Sequence, residues 1–284
     1  MKWATVRHDE RTHAGLLRGD EIHLLQEKDL SLVLHDLSGA AERAGESGIC
    51  ELDKVEFLAP IPRPRKILGI GVNYAAHAKE SVTFIKNPTS NVQKWFNKQA
   101  TGANGAYSDV HLPVVSDQLD YEAELVVIVG KTGRHVPEAR AMEMVAGFCC
   151  GCDFSVRDWQ RASPTMIMGK GFDTHAPFGP FLVTPDEVND LQGLQVRGFV
   201  NGELRQTGHV RDMTFSIAQQ IAHLTAAFTL EPGDVIFTGT PAGVGAGFDP
   251  PKWLKAGDTV RIEIDQLGHS EHRIVAEKKV TVLD

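Results

Sequence analysis

The sequence predicts an α+β protein that is mainly β, with a small N-terminal domain over residues 1–58 and a larger domain over residues 59–284. Two observations carry this expectation. Short apolar runs bounded by Gly, Pro, Asn or Asp outnumber segments with helical periodicity. They do not alternate regularly with helices, which argues against a doubly wound parallel sheet. Between the two parts, Pro60, Pro62 and Pro64 form a stiff connector, because proline fixes its own φ and restricts the residue before it.

Residues 1–58 read as short strands around a Gly19-Asp20 turn, then a helical stretch from Leu30 to Ala44 ending at Gly45. After the connector, Lys66 to Gly71 reads as a buried strand, Asn73 to Glu80 as a short helical turn and Val82 to Lys86 as a further strand. Residues 87–108 form a long polar stretch with Trp95 and Phe96 between Lys94 and Lys98, as expected of a lid or binding loop. Pro137 to Val145 is expected to be helical, and Gly147 to Asp153 a strand. Val196 to Leu204 turns tightly at Asn201-Gly202, a strong hairpin signal. Phe215, Ile217, Ile221, Leu224 and Phe228 recur at helical spacing, and from Asp234 onward the chain reads as strands and glycine-rich turns.

Bulk properties narrow the function classes. Of 284 residues, 29 are basic and 37 acidic, a net charge of −8, and the Lys and Arg residues are scattered, so a nucleic-acid footprint is not expected. The longest apolar run is too short to span a bilayer and the N-terminus lacks a signal core, so a cytoplasmic protein without membrane attachment is expected. Three of the four cysteines crowd into Cys149-Cys150-Gly151-Cys152, which suits neither a disulfide framework nor a paired zinc motif, and reads as buried thiols.

Asp120-Tyr121-Glu122-Ala123-Glu124 runs directly into Leu-Val-Val-Ile-Val at 125–129. Side chains alternate along a strand, so Glu122 and Glu124 project the same way with Asp120 at the mouth of the row. In low-dielectric surroundings such repulsion is relieved by a proton or by a cation between the carboxylates; an edge strand with its acidic face in water is the other reading. Asp153, Arg157 and Lys170 extend the set, the two cations being of the type an anionic substrate requires beside an acidic metal site. His77 and Glu80 are three apart, so on a helical turn they share a face, either as surface decoration or as a general base that activates water. No third glycine follows Gly69-Ile-Gly71 and no Gly-Lys-Ser/Thr follows the glycines of 239–247. Gly-x-Ser-x-Gly is also missing, so dinucleotide, phosphate-loop and serine-hydrolase signatures are absent.

Taken in order, six blocks resemble the fumarylacetoacetate hydrolase family from about Lys66 to Gly268: Gly71-Val-Asn-Tyr-Ala-Ala-His77-Ala-Lys-Glu80, Asp120-Tyr-Glu122-Ala-Glu124-Leu, Cys152-Asp153-Phe-Ser-Val-Arg157-Asp158-Trp-Gln160, Gly169-Lys170-Gly-Phe-Asp173-Thr, Val200-Asn201-Gly202-Glu203, and Pro232-Gly233-Asp234 with Thr238-Gly239-Thr240-Pro241. Within the family the chain resembles the group named for containing a fumarylacetoacetate hydrolase domain. The resemblance implies a mixed β-sandwich roll around a Mg²⁺ or Mn²⁺ site, with Ca²⁺ a further candidate, usually in a homodimer. It implies Glu122, Glu124 and Asp153 as metal ligands, and Arg157, Gln160, Thr240 and Tyr74 as substrate-binding residues. Lys170 would stabilise developing charge, and His77 with Glu80 would activate water on a closing lid. The implied reaction is metal-dependent hydrolysis of a C–C bond in a 2,4-dioxo (acylpyruvate-like) acid. Decarboxylation or enol–keto isomerisation of a 2-oxo dicarboxylic acid on the same scaffold is one alternative, and a catalytically idle metal-binding homologue is another. The sequence departs from the family in a longer stretch between Lys86 and Asp120, in Cys152 where asparagine is frequent and in Gly171 where serine or threonine is common. The long stretch, with its Trp95-Phe96 pair, is expected to govern the choice of substrate tail.

Overall fold

The computed structural model describes residues 1–83 and 92–283. Among these residues the dominant element is a twisted, largely antiparallel sheet. Its strands run Ile49–Glu51, Glu21–Leu24, Arg11–Arg18, Lys2–His8, Ala176–Val183, Val145–Cys152, Ala123–Val129, Val235–Phe237, Ile67–Gly71 and Lys94–Lys98. A second sheet orders Glu203–His209, Gln195–Val200, Thr259–Ile264, Gly268–Ala276 and Val110–Leu112. The mainly β, α+β class read from the sequence is the observed one.

The strand Ala123–Val129 is buried along its whole length because it is covered on both faces. Leu125, Val127 and Val129 join a core with Val196, Val260, Ile262 and Ile274 of the second sheet. Val126 and Ile128, on the alternate face, pack with Trp3, Leu25, Leu30, Phe178 and Phe237. Residues 1–58 therefore supply one wall of the core, and Lys2–His8 pairs antiparallel with Ala176–Val183, so the main sheet runs unbroken into the N-terminal unit.

Local rules account for the smaller elements. The helix Ile217–Ala227 starts with a capping box in which Ser216 Oγ accepts from Gln219 N and the Gln219 side chain accepts from Ser216 N. Asn201 and Gly202 both have positive φ, the geometry of a two-residue hairpin turn joining Gln195–Val200 to Glu203–His209. Leu30–Ala44 is shorter in helix than expected: Leu30–Leu32 is a 3-10 turn, and the α-helix Leu37–Arg43 begins where the Asp36 carboxylate accepts from Gly39 N. All four cysteines are free and buried.

The stretch 87–108 is the main correction. Residues 87–91 lie outside the described residues, as do 84–86 of the strand expected over Val82–Lys86, whose start instead belongs to the 3-10 turn Ser81–Thr83. The remainder is not a loop: Lys94–Lys98 is a strand paired antiparallel with Ile67–Gly71, followed by the 3-10 turn Ala100–Gly102 and a short strand Ala103–Asn104. Its polar composition concealed the period of two. Lys94, Phe96 and Lys98 face one way and Trp95 and Asn97 the other, so the Trp95-Phe96 pair does not form a lid. Phe96 is buried, while the Trp95 indole N–H donates to His223 Nδ1 at 3.1 Å on the opposite face.

Candidate active site

Antiparallel pairing of Ala123–Val129 with Val145–Cys152 sets Ala123 against Cys152, and Asp153 N donates to Glu122 O at 2.9 Å. This register brings Asp153 beside Glu122 and Glu124, and one carboxylate oxygen of each lies within 4.8 Å of the others. All three are buried. Burial, then the neighbouring charges of Asp153 and Glu122, push the Glu124 carboxyl well above the usual range. Burial also opposes ionisation of Glu122, but Lys170 and Arg157 outweigh it and hold that carboxyl below its ordinary value. A dry cluster of three carboxylates, its mutual repulsion raising the pKa of Glu124, fits a hard divalent cation with oxygen ligands.

Cations surround the cluster asymmetrically. Lys170, at the end of the short helix Ile167–Lys170, donates to Glu122 at 2.7 Å and Asp153 at 2.6 Å. Lys98 reaches the other Asp153 oxygen and Phe154 O from the strand Lys94–Lys98. Burial lowers the Lys98 ammonium's affinity for its proton, partly offset by Asp153, whereas Asp153 and Glu122 more than restore that of Lys170. Arg157 commits three nitrogens to the protein: Nε to Asp120 at 2.8 Å, Nη1 to Gln160 at 2.9 Å and Nη2 to Glu122 at 2.7 Å.

Asp120 is pulled out of the acidic row. Pairing of Leu119–Asp120 with Ser155–Val156 sets it against Ser155, and its carboxylate accepts from Arg157 Nε, Tyr121 N, Gly245 N and Ala246 N. The glycine-rich segment it holds also holds Glu80, whose Oε1 accepts from Gly243 N at 3.0 Å. Gly247 lies so close that an added Cβ would stand 2.1 Å from Glu80 Oε1. On the helix Ala75–Glu80, His77 Nδ1 is 3.0 Å from Glu80 Oε2, so the pair shares a face.

Glu122, His77, Gln160, Lys170, Thr240 and Phe96 open onto one small cavity of about 40 Å³. Thr240 Oγ1 donates to Ala123 O and accepts from Gln206 Nε2, and Gly239 N donates to Glu124 at 2.7 Å, so the 238–241 segment is laid directly along the carboxylate strand.

A family model for the fumarylacetoacetate hydrolase C-terminal domain matches residues 66–275, and one described as Rv2993c-like, N-terminal, matches residues 1–60. The chain belongs to the fumarylacetoacetate hydrolase family. It is 42% identical over 235 residues to the mitochondrial oxaloacetate tautomerase FAHD2A of Homo sapiens, covering 82% of this chain and 73% of that one. Among solved structures, a fumarylacetoacetate hydrolase from Exiguobacterium antarcticum superposes with a TM-score of 0.85 at 34% identity, covering 98% of this chain and 100% of that one. Maleylpyruvate hydrolase from Sphingobium sp. SYK-6, in complex with manganese(II) and pyruvate, superposes with a TM-score of 0.80 at 33% identity and the same coverage. Among the described residues no helix is long and apolar enough to cross a membrane.

Within this member of the fumarylacetoacetate hydrolase family, Glu122, Glu124, Asp153, Lys170, Gln160, Thr240, His77 and Glu80 are brought together around the cavity and its floor. Arg157 stands behind Glu122, spending its donors on protein groups. Tyr74 is buried at the start of the His77 helix, its hydroxyl without a hydrogen-bond partner among the described residues and its pKa raised by burial and by Glu124. Sequence reasoning missed Lys98 and the tether of Asp120 to the 243–247 segment. Alternation across Lys94-Trp95-Phe96-Asn97-Lys98 was the signal that could have found Lys98.

Proposed function

We propose that this chain is a divalent-metal-dependent enzyme acting on 2-oxo acids, and that its central step is proton transfer at the carbon beside the oxo group, interconverting enol and keto forms. The observation that carries this reading is the convergence of Glu122, Glu124 and Asp153 with Lys170 and Lys98 in one buried cluster, beside a cavity that also admits His77. Mg²⁺ or Mn²⁺ held by Glu122, Glu124 and Asp153 would supply a Lewis acid for a 2-oxo acid.

The chain's own groups do the rest. Lys170, fixed by two carboxylates, holds positive charge where the oxo oxygen gains electron density, and being preorganised it needs no rearrangement. His77 carries the proton, and Glu80 fixes the ring through Nδ1 and compensates the charge on it. Arg157 positions Glu122, while Gln160 and Thr240 line the substrate's side of the cavity. The relative named as an oxaloacetate tautomerase supports this ordering, because tautomerisation needs only the polarising cluster and one proton carrier.

C–C hydrolysis of a 2,4-dioxo acid is the second reading. The His77–Glu80 pair favours it as a device for activating water, as does the neighbour named as a maleylpyruvate hydrolase. Loading the protein with Mn²⁺ and following both the decay of enol-oxaloacetate absorbance and pyruvate release from an acylpyruvate separates the two. Accelerated enol decay without cleavage is expected; cleavage with no effect on enol decay overturns the tautomerase reading.

A further inference from the structure

A lysine ammonium has three N–H donors, and on Lys170 two of them go to carboxylates, Glu122 at 2.7 Å and Asp153 at 2.6 Å. The third meets no oxygen or nitrogen acceptor among the described residues. What the ammonium faces on that side is an aromatic ring: Nζ stands over Phe96, 4.8 Å from the ring centroid and within cation–π range. Lys170 and Phe96 are both buried, so water does not compete for the charge and the contact is of the stronger, desolvated kind. Phe96 also lines the cavity onto which Lys170 opens.

Two neighbouring strands fix the ring in this place. Phe96 pairs in register with Gly69, and an added Cβ at Gly69 would stand 2.3 Å from the ring, so the bare glycine is what lets the ring lie across the strand. Phe96 and Lys98 are two apart and share a face, so one strand reaches Asp153 with a charge and Lys170 with a ring. The ring differs from the other two partners of Lys170 in one respect. Glu122 and Asp153 belong to the set that fits a divalent ion, and an ion there shares the negative charge that holds the ammonium and repels the ammonium itself. The face of Phe96 attracts through its quadrupole and offers the ion no ligand atom, so its hold on Lys170 remains.

We propose that Phe96 is a positioning residue whose ring face keeps the Lys170 ammonium at the cavity when a divalent ion occupies the carboxylates. The assignment rests on the reading above, in which Lys170 serves the oxo oxygen of a 2-oxo acid. Phe96 acts through Lys170 and touches no reacting atom. Because the ring carries more of the ammonium's charge once the carboxylates are shared, it favours binding of the ion as well as the placement of Lys170.

The test replaces Phe96 with 4-fluoro-, 3,5-difluoro- and 3,4,5-trifluorophenylalanine, which keep the outline of the ring while draining its face of negative charge in steps. Mn²⁺ affinity is measured by calorimetry without substrate, and decay of enol-oxaloacetate by absorbance at saturating Mn²⁺. Both should fall stepwise along the series, by about tenfold at the trifluoro ring, with the melting temperature of the metal-free protein nearly constant. Phe96→Leu, which fills the space without an aromatic face, should lose at least as much as the trifluoro ring. A Mn²⁺ affinity that stays level across the fluorinated rings overturns the proposal whatever the rates do, and a loss confined to Phe96→Leu assigns the residue to packing. If Mn²⁺ affinity falls stepwise while wild type leaves enol decay unaccelerated, the 2-oxo-acid reading fails and the placement of Lys170 by Phe96 stands.

Discussion

Asp120 and Glu124 lie four residues apart on one segment, both shut away from water, yet their surroundings differ completely. Asp120 accepts from a guanidinium and three backbone amides, so donors of the protein surround it. Glu124 has Gly239 N on one oxygen and faces two other carboxylates. The first is a structural anion already solvated by protein. The second is short of counter-charge, which the raised pKa of Glu124 records. Burial and charge type are the same, so what separates structure from chemistry is whether the protein itself supplies the counter-charge.

The contrast can be broken most directly by substitution. Asp120→Ala removes the acceptor of Arg157 Nε and of three backbone amides, and should cost about 3–5 kcal/mol in denaturant unfolding. Glu124→Gln removes the repulsion of a crowded carboxylate with a neutral isostere, so the metal-free protein should change by no more than about 1 kcal/mol while calorimetric Mn²⁺ binding disappears. If the two variants exchange these outcomes, the assignment of roles is wrong.

Metal addition gives the next effect in size. At a hundredfold excess over its dissociation constant, Mn²⁺ should stabilise wild type by about 2.7 kcal/mol and leave Glu124→Gln unmoved in a thermal melt. Gly247→Ala sharpens the comparison from the side of the base. Its methyl displaces the flexible end of Glu80, so kcat should fall by about 10²-fold with far-UV dichroism and melting temperature nearly intact. A normal kcat in that variant would detach Glu80 from catalysis.

A further effect concerns buried groups that stay neutral. Burial pushes His272 down to about 4 and His175 down to about 3 from an ordinary 6.5. Between 6.5 and these values the unfolded chain takes up protons that the folded chain refuses. Stability therefore falls as pH drops through that window, by about 1.4 kcal/mol per unit for each histidine. Urea midpoints measured from pH 7 to 5 should show this slope, and His272→Gln should flatten it; an unchanged slope would assign the acid sensitivity to other groups.

Much of the site is legible in the sequence because its residues sit in locally ordered segments whose period fixes their direction. Glu122 and Glu124 share a face by strand alternation, and His77 and Glu80 by helical spacing. Lys98 was illegible for the opposite reason. Its strand has lysines on the face that turns inward, so an apolar-in, polar-out reading misassigns it, and only the acids it neutralises, distant in sequence, explain its burial. Asp120 appeared as one more acid in a row because its partners, Gly245 and Ala246, lie more than a hundred residues away. The fold class came through, while the 94–98 strand and the broken helix after Leu30 did not, since both depend on partners that composition does not reveal.

The 243–247 segment holds Glu80 through its first residue and Asp120 through its middle, and Asp120 in turn holds the arginine behind Glu122. The His77–Glu80 pair and the acidic cluster are thus mounted on one bracket. Thermal displacement of that bracket moves both in the same direction, and a common displacement leaves the gap between them unchanged. In the proton transfer proposed, the distance between the two would matter more than their place in the molecule, and a shared mounting ties that distance to two short tethers.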